Sequence, residues 1–144
     1  MLPWRWAEER LERAQNYWVV TVRPDGRPHA VPVWGVWVDR CFYFGGGGRK
    51  ATNLASNPAI TVHLESGTEV VIVEGYYDEA AKPGPDLFAR IRESYATKYS
   101  YRPESPGQLY TVRPRVVLAW HNLPKDATRW RFTPPAQRPP DAQS

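Results

Sequence analysis

The first residues able to do chemistry are Gly45-Gly46-Gly47-Gly48-Arg49-Lys50. A glycine loop lets backbone N–H groups approach an anion closely, and a helix start behind it favours negative charge. Arg49 and Lys50 add two cations at the same point. Ala51 stands where a Walker A loop needs a hydroxyl for Mg²⁺, so this is a different motif. The same residues also fit a flexible hairpin loop with solvated basic side chains. A second candidate is Pro28-His29-Ala30-Val31-Pro32-Val33-Trp34-Gly35-Val36-Trp37. Pro32 donates no ladder hydrogen bond, so the strand is interrupted or at an edge there. Nearby backbone groups are then free to bond a ligand beside Trp34 and Trp37. The alternative is that this face is a dimer interface, and both readings are compatible. A third candidate is Thr128-Arg129-Trp130-Arg131-Phe132, which as a strand puts Arg129 and Arg131 on one face and Trp130 on the other. The pair is either an anion clamp or a solvated edge.

Other chemistry finds little support. His29, His63 and His121 lack the i, i+4 spacing of a metal motif, so no metal site is expected. No nucleophile-elbow glycines flank a serine. Cys41 sits in a strand and reads as a small buried residue. Tyr95, Lys98 and Tyr99 are assigned to a helical core stripe. No catalytic residue is assigned.

These residues must be held by a small body. The chain has 144 residues, 42% hydrophobic and 24% charged, which fits one globular domain. No apolar stretch reaches the ~20 residues that span a bilayer. The first residues carry no signal-peptide run, so the expected address is the cytoplasm. A single cysteine excludes an intrachain disulfide. The net charge is +4, and fifteen of the nineteen basic residues are arginines, which make forked contacts to phosphates and carboxylates. They are scattered without a run or stripe, so nucleic acid is not the expected partner. Seven tryptophans and eight tyrosines suit a surface for a flat conjugated ring.

Pro3 to Gln15 reads as a helix with the stripe Trp4, Ala7, Leu11 and Ala14. Tyr17 to Arg23, Pro28 to Val38 and Cys41 to Phe44 read as an antiparallel meander around the turn Pro24-Asp25-Gly26-Arg27. The second of these strands is apolar on both faces, so both need cover. Arg49 to Ser56 reads as a short helix ended by Asn57-Pro58. Ala59 to Glu65 and Glu69 to Glu79 are strands, the latter with a bulge or bend at Gly75. Asp86 is expected to cap a helix through Tyr99 with the stripe Phe88, Ile91, Tyr95 and Tyr99. Leu109 to Arg113, Val116 to His121 and Thr128 to Phe132 complete the strands. A small antiparallel barrel accounts for this order better than alternating βαβ units. The last twelve residues, 133–144, carry four prolines and no apolar pattern, so little order is expected.

Taken in order, the segments Trp18 to Trp34, Arg49-Lys50-Ala51-Thr52-Asn53-Leu54 with Asn57-Pro58, Val73-Glu74-Gly75 and Thr128 to Phe132 resemble the flavin-binding split-barrel family. These are the pyridoxamine 5′-phosphate oxidase-like proteins and their deazaflavin-dependent reductase relatives. The resemblance implies a mainly β, six-stranded antiparallel split barrel over residues 1–132. It also implies a homodimer with a cofactor in each of two grooves at the subunit interface. It places Val31, Pro32, Val33 and Trp34 along the cofactor ring, largely through backbone groups, and Tyr43 and Phe44 beside the ring and its chain. Arg49 and Lys50 match the pair that holds the phosphate, with Gly47 and Gly48 supplying N–H groups where relatives carry a hydroxyl. Asn53 is a motif residue of the helix, and Arg129, Trp130 and Arg131 match a closing strand that reaches towards the groove. FMN is the family's usual cofactor, and the deazaflavin coenzyme F-420 is the alternative. The implied activity is a flavin- or deazaflavin-dependent oxidoreductase acting on a small molecule. A non-catalytic FMN or haem carrier, or a dimeric binding module without cofactor, is the other reading.

Overall fold

The computed structural model describes residues 1–134. In chain order the elements are α1 (Trp4–Arg13), β1 (Tyr17–Val22), β2 (Pro28–Val33), β3 (Val36–Val38), β4 (Cys41–Gly45), α2 (Arg49–Ser56), β5 (Ala59–His63), β6 (Val70–Tyr77), α3 (Pro85–Tyr99), β7 (Leu109–Trp120) and β8 (Thr128–Arg131). All strand pairs are antiparallel. The hydrogen-bonded order is β2-β1-β5-β6-β7-β4-β3, with β8 added to β7. The two ends of that path, β2 and β3, are joined by Trp34 and Gly35 alone. The three residue steps from Val33 to Val36 span at most ~11 Å, so the sheet must curl until its ends nearly meet.

The strand count differs from the six expected. The predicted strand from Pro28 to Val38 breaks at Trp34-Gly35, and each half pairs at opposite ends of the path. The pieces around Pro114 run the other way, fusing into one strand from Leu109 to Trp120. Proline is tolerated there because the ladder is already irregular: the register shifts between Glu74 and Gly75, and Gly75 faces Pro114. A Cβ on Gly75 would lie 2.2 Å from the Arg113 carbonyl oxygen, so only glycine allows this approach. β2 is an edge strand, and in the single chain Pro28, Ala30 and Pro32 on one of its faces are exposed, so the chain itself does not cover that face.

The barrel interior is filled by alternate residues of the strands. Tyr17 and Val19 of β1, Phe42 and Phe44 of β4, Val62 of β5 and Val73 of β6 are all fully buried. α1 closes one end through Ala7 and Leu11, as its stripe predicts. α3 lies on the other face of β3 and β4, where Ile91 and Tyr95 pack on Val36, Cys41 and Tyr43. Its N-cap is Gly84 followed by Pro85, and Asp86 sits inside the first turn rather than capping it. Proline at the first helical position loses no hydrogen bond there. No described helix is long and apolar enough to cross a membrane. The expectation of disorder from Thr133 onward falls, for residues 135–144, outside the described part of the chain.

Candidate functional site

A cleft of about 330 Å³ opens where the two halves of the broken strand part. Val33 and Trp34 form one wall, Gly45 and Gly46 the opposite one, and Tyr95, Tyr101 and Pro103 close the side. The fold thus brings together the end of β2 and the start of the glycine loop, two candidates separated by eleven residues of chain. Among the described residues, no charged side chain lines the cleft.

The Trp34 wall is held rigidly. Trp34 is half exposed and stacks on Tyr99 with ring centroids 4.6 Å apart and planes 8° from parallel. Behind it, the Gly35 N–H donates to the Tyr99 hydroxyl at 3.0 Å, and Lys98 Nζ donates to the Gly35 carbonyl at 2.8 Å. Lys98 also donates to the Tyr17 hydroxyl at 2.6 Å, which itself donates to the Leu11 carbonyl at 2.5 Å. Burial pulls the Lys98 ammonium down to about 8 and pushes the Tyr95 and Tyr99 phenols up. Tyr95 and Lys98, assigned by periodicity to a core stripe, therefore also build the cleft and its backing. Helical spacing cannot show that a stripe extends past the core.

The opposite wall leads into the cations. Gly46 and Gly48 have φ of +112° and +70°, values that favour glycine. Gly48 begins α2, which has no side-chain cap. The Lys50 ammonium folds back over the loop, 3.5 Å from where a Cβ on Gly46 would lie. Arg49 is exposed, and neither cation has a carboxylate partner among the described residues. Asn53 is fully buried and donates through Nδ2 to Thr21 Oγ1 at 2.9 Å. It pins α2 to β1 and offers no open surface to a ligand. His29, which lacks any motif spacing, pairs in register with Thr21. Its Nδ1 is buried without a partner, and burial first, then Arg23, Lys50 and Arg49, hold the imidazole below its usual pKa.

The remaining predicted residues lie elsewhere. Phe44 is buried in the barrel interior, stacked on Phe42, and Tyr43 is buried under α3. Neither side chain lines the cleft, because β4 alternates between two covered faces. Arg129 and Arg131 are exposed on β8, while Trp130 packs edge-on to Trp4 at 5.3 Å. Arg129 pairs with Leu118, whereas Gly45 pairs with Leu109. Nine residues of β7 separate those partners, roughly 30 Å along the strand. Within one chain the β8 arginines and the glycine loop are therefore far apart.

The register defines one more surface. Pro32, Trp18, His63, Ile72, Leu118 and Arg129 are cross-strand neighbours in a single row over six strands. Ala30, Val20, Thr61, Glu74, Val116 and Arg131 form the next row. Both rows are half-buried or exposed, and no helix lies among them.

An apolar, aromatic cleft suits a flat ring, and unpaired cations at its end suit a phosphate on that ring. The residues present thus fit a phosphorylated conjugated cofactor. The family model for pyridoxamine 5′-phosphate oxidase matches residues 6–121. A solved F420 reductase is 23% identical, with a TM-score of 0.57, covering 76% of this chain and 94% of its own. An FAD-binding protein from Mesorhizobium loti is 21% identical, with a TM-score of 0.60, covering 81% of this chain and 92% of its own. A heme binding protein from Mycobacterium smegmatis is 16% identical, with a TM-score of 0.69, covering 91% of this chain and 59% of its own. At these identities the likeness is one of fold. No curated protein matches the sequence.

Proposed function

The chain belongs to the pyridoxamine 5′-phosphate oxidase-like split-barrel family, and from that premise we propose that it binds FMN, or alternatively coenzyme F-420, and works as an oxidoreductase on a small molecule. The observation that carries this reading is the meeting of Val33-Trp34 with Gly45-Gly46 in one cleft, with Lys50 folded over the loop. β2 pairs with β1 along one edge only, so its other row of N–H and C=O groups is available to a ring lying beside Val31 to Trp34. Trp34 supplies an aromatic face, and Tyr95, Tyr101 and Pro103 exclude water from it. Val33 to His29 spans about 13 Å of strand, long enough for a sugar-like chain to run from the cleft to the cations. Arg49 and Lys50 then hold the phosphate. When bound, the ring supplies the hydride chemistry, so no acid–base pair is required of the protein.

The second copy has a defined place in this reading. The two rows of half-exposed side chains carry Pro32 and Ala30 at one end and Arg129 and Arg131 at the other, about 24 Å apart at ~4.8 Å per strand. In a two-fold face-to-face dimer whose axis runs along the strands, one chain's arginine end lies over its partner's β2 end. The β8 arginines would then reach the partner's groove. The cleft has no histidine, cysteine or methionine in its lining, which favours a flavin or deazaflavin over haem. The absorbance spectrum of the purified protein, followed by titration with FMN, riboflavin and F-420, tests the cofactor. Oxidation of a reduced nicotinamide or deazaflavin donor separates an enzyme from a carrier. Light scattering showing only a 16.5 kDa species at micromolar concentration would remove the dimer.

A further inference from the structure

Tyr99, the last residue of α3, does two things at once behind the cleft. Its ring lies against the Trp34 indole, with centroids 4.6 Å apart and planes 8° from parallel. Its hydroxyl accepts from the Gly35 N–H at 3.0 Å and has the Gly35 and Gln15 carbonyls both at 2.9 Å. A phenol has one proton to give. Lys98 Nζ already donates to the Gly35 carbonyl at 2.8 Å, which leaves the Tyr99 proton for Gln15. Tyr17 gives its own proton to the Leu11 carbonyl, so it must accept from Lys98. One network with a single direction of donation thus ties α3 to both peptides of Gly35, at the break between β2 and β3.

Core packing does not ask for this arrangement at Trp34. The indole is 52% exposed and belongs to neither buried cluster, whereas Tyr99 packs on the cluster of Ile91 and Tyr95. Nor is its exposure solitary, because Tyr101, 46% exposed, lines the same cleft. Large aromatic side chains kept in water around one cleft mark a surface for a ligand. Tyr99 itself is not among the lining residues.

We propose that Tyr99 is a positioning residue for the conjugated ring: its stacking sets the plane of the Trp34 indole and its hydroxyl sets the backbone at Gly35. This rests on the cofactor reading above. Tyr99 then acts through Trp34 rather than by touching the ring. An indole already held in plane needs no ordering when a ring arrives, so less affinity is lost to immobilising it. The effect falls on the ring and is blind to the phosphate, unlike that expected of Lys50.

Tyr99→Phe keeps the stacked ring and removes the hydroxyl, and Tyr99→Leu removes both. Fluorescence titration should show FMN and riboflavin weakened by the same factor, about three- to tenfold in Tyr99→Phe and more in Tyr99→Leu. In a Trp34→Ala background the loss from Tyr99→Phe should shrink to under about twofold. A merely structural Tyr99 would lower the melting temperature and give the same loss with or without Trp34. A second readout needs no cofactor. The anisotropy decay of Trp34, taken as the difference from Trp34→Phe, should show faster local motion once Tyr99→Leu is introduced. Flavin affinity unchanged in both Tyr99 variants, an undiminished loss in the Trp34→Ala background, or Trp34 motion unaltered by Tyr99→Leu overturns the inference. If FMN fails to bind the wild type, the cofactor reading falls, and the motion of Trp34 still decides whether Tyr99 positions it.

Discussion

The two walls of the cleft are built in opposite ways. At Trp34-Gly35 both Gly35 backbone groups are bonded, the N–H to Tyr99 and the carbonyl to Tyr99 and Lys98, and Lys98 donates in turn to Tyr17. A Cβ on Gly35 would lie 2.3 Å from the ring of the buried Phe42. At Gly45 to Lys50 the opposite holds. Gly47 and Gly48 have open space around them, α2 lacks a side-chain cap, and among the described residues Arg49 and Lys50 pair with no carboxylate. Arg5, Arg10, Arg13, Arg27, Arg90, Arg102 and Arg113 each have one. One wall is determined by folding; the other keeps donors and charge for something that is not protein.

The contrast breaks most sharply at Gly35. Gly35→Ala should destabilise the fold by about 3 kcal/mol through overpacking, lowering the melting temperature by roughly 10 °C. A melting curve close to wild type would show that Phe42 can yield and that this wall is soft. The opposite wall should answer in binding instead. Lys50→Ala should weaken FMN by roughly ten- to a hundredfold, with a smaller loss for riboflavin and an unchanged melting temperature. Equal losses for the two ligands would move the anion site away from Lys50.

A smaller effect is expected at the far end of the exposed face. Arg129→Ala with Arg131→Ala should cost FMN about three- to tenfold, because these arginines would act only through a partner subunit. If fluorescence titration finds no change in a confirmed dimer, β8 is a solvated edge. A pH-dependent effect concerns Lys98, whose ammonium loses its proton near pH 8 because it is buried. Its folded pKa lies below the unfolded value of about 10.4, so the unfolded chain holds more protons between the two. Wild-type stability should therefore rise relative to Lys98→Met from about pH 8 to pH 10 and run parallel to it below pH 8. Denaturant melts across that range check the sign; a gain on acidification would mean that Lys98 is stabilised as a cation.

The elements were readable because their causes are local. The stripe of α1, the alternation of β5 and the glycine loop before α2 follow from periods and turn chemistry within a few residues. Gly75 was recognisable as an irregularity, yet the contact that demands it, the Arg113 carbonyl, lies 38 residues away. Ladder partners of that kind leave no local mark. The same limit hid the burial of Tyr43 and Phe44, since alternation says that two faces differ but not that both are covered.

Residue order by itself determined the kinds of chemistry on offer: a loop able to hold an anion and aromatic surface for a ring. Those depend on side-chain type and on backbone freedom, which each residue carries with it. Only the tertiary structure decided where they meet. The break at Trp34-Gly35 sends β2 and β3 to opposite ends of one curled sheet, and the cleft exists because those ends return to each other. That closure depends on pairings between distant strands. It also sets the β8 arginines roughly 30 Å along β7 from the loop that their charge would suggest they join.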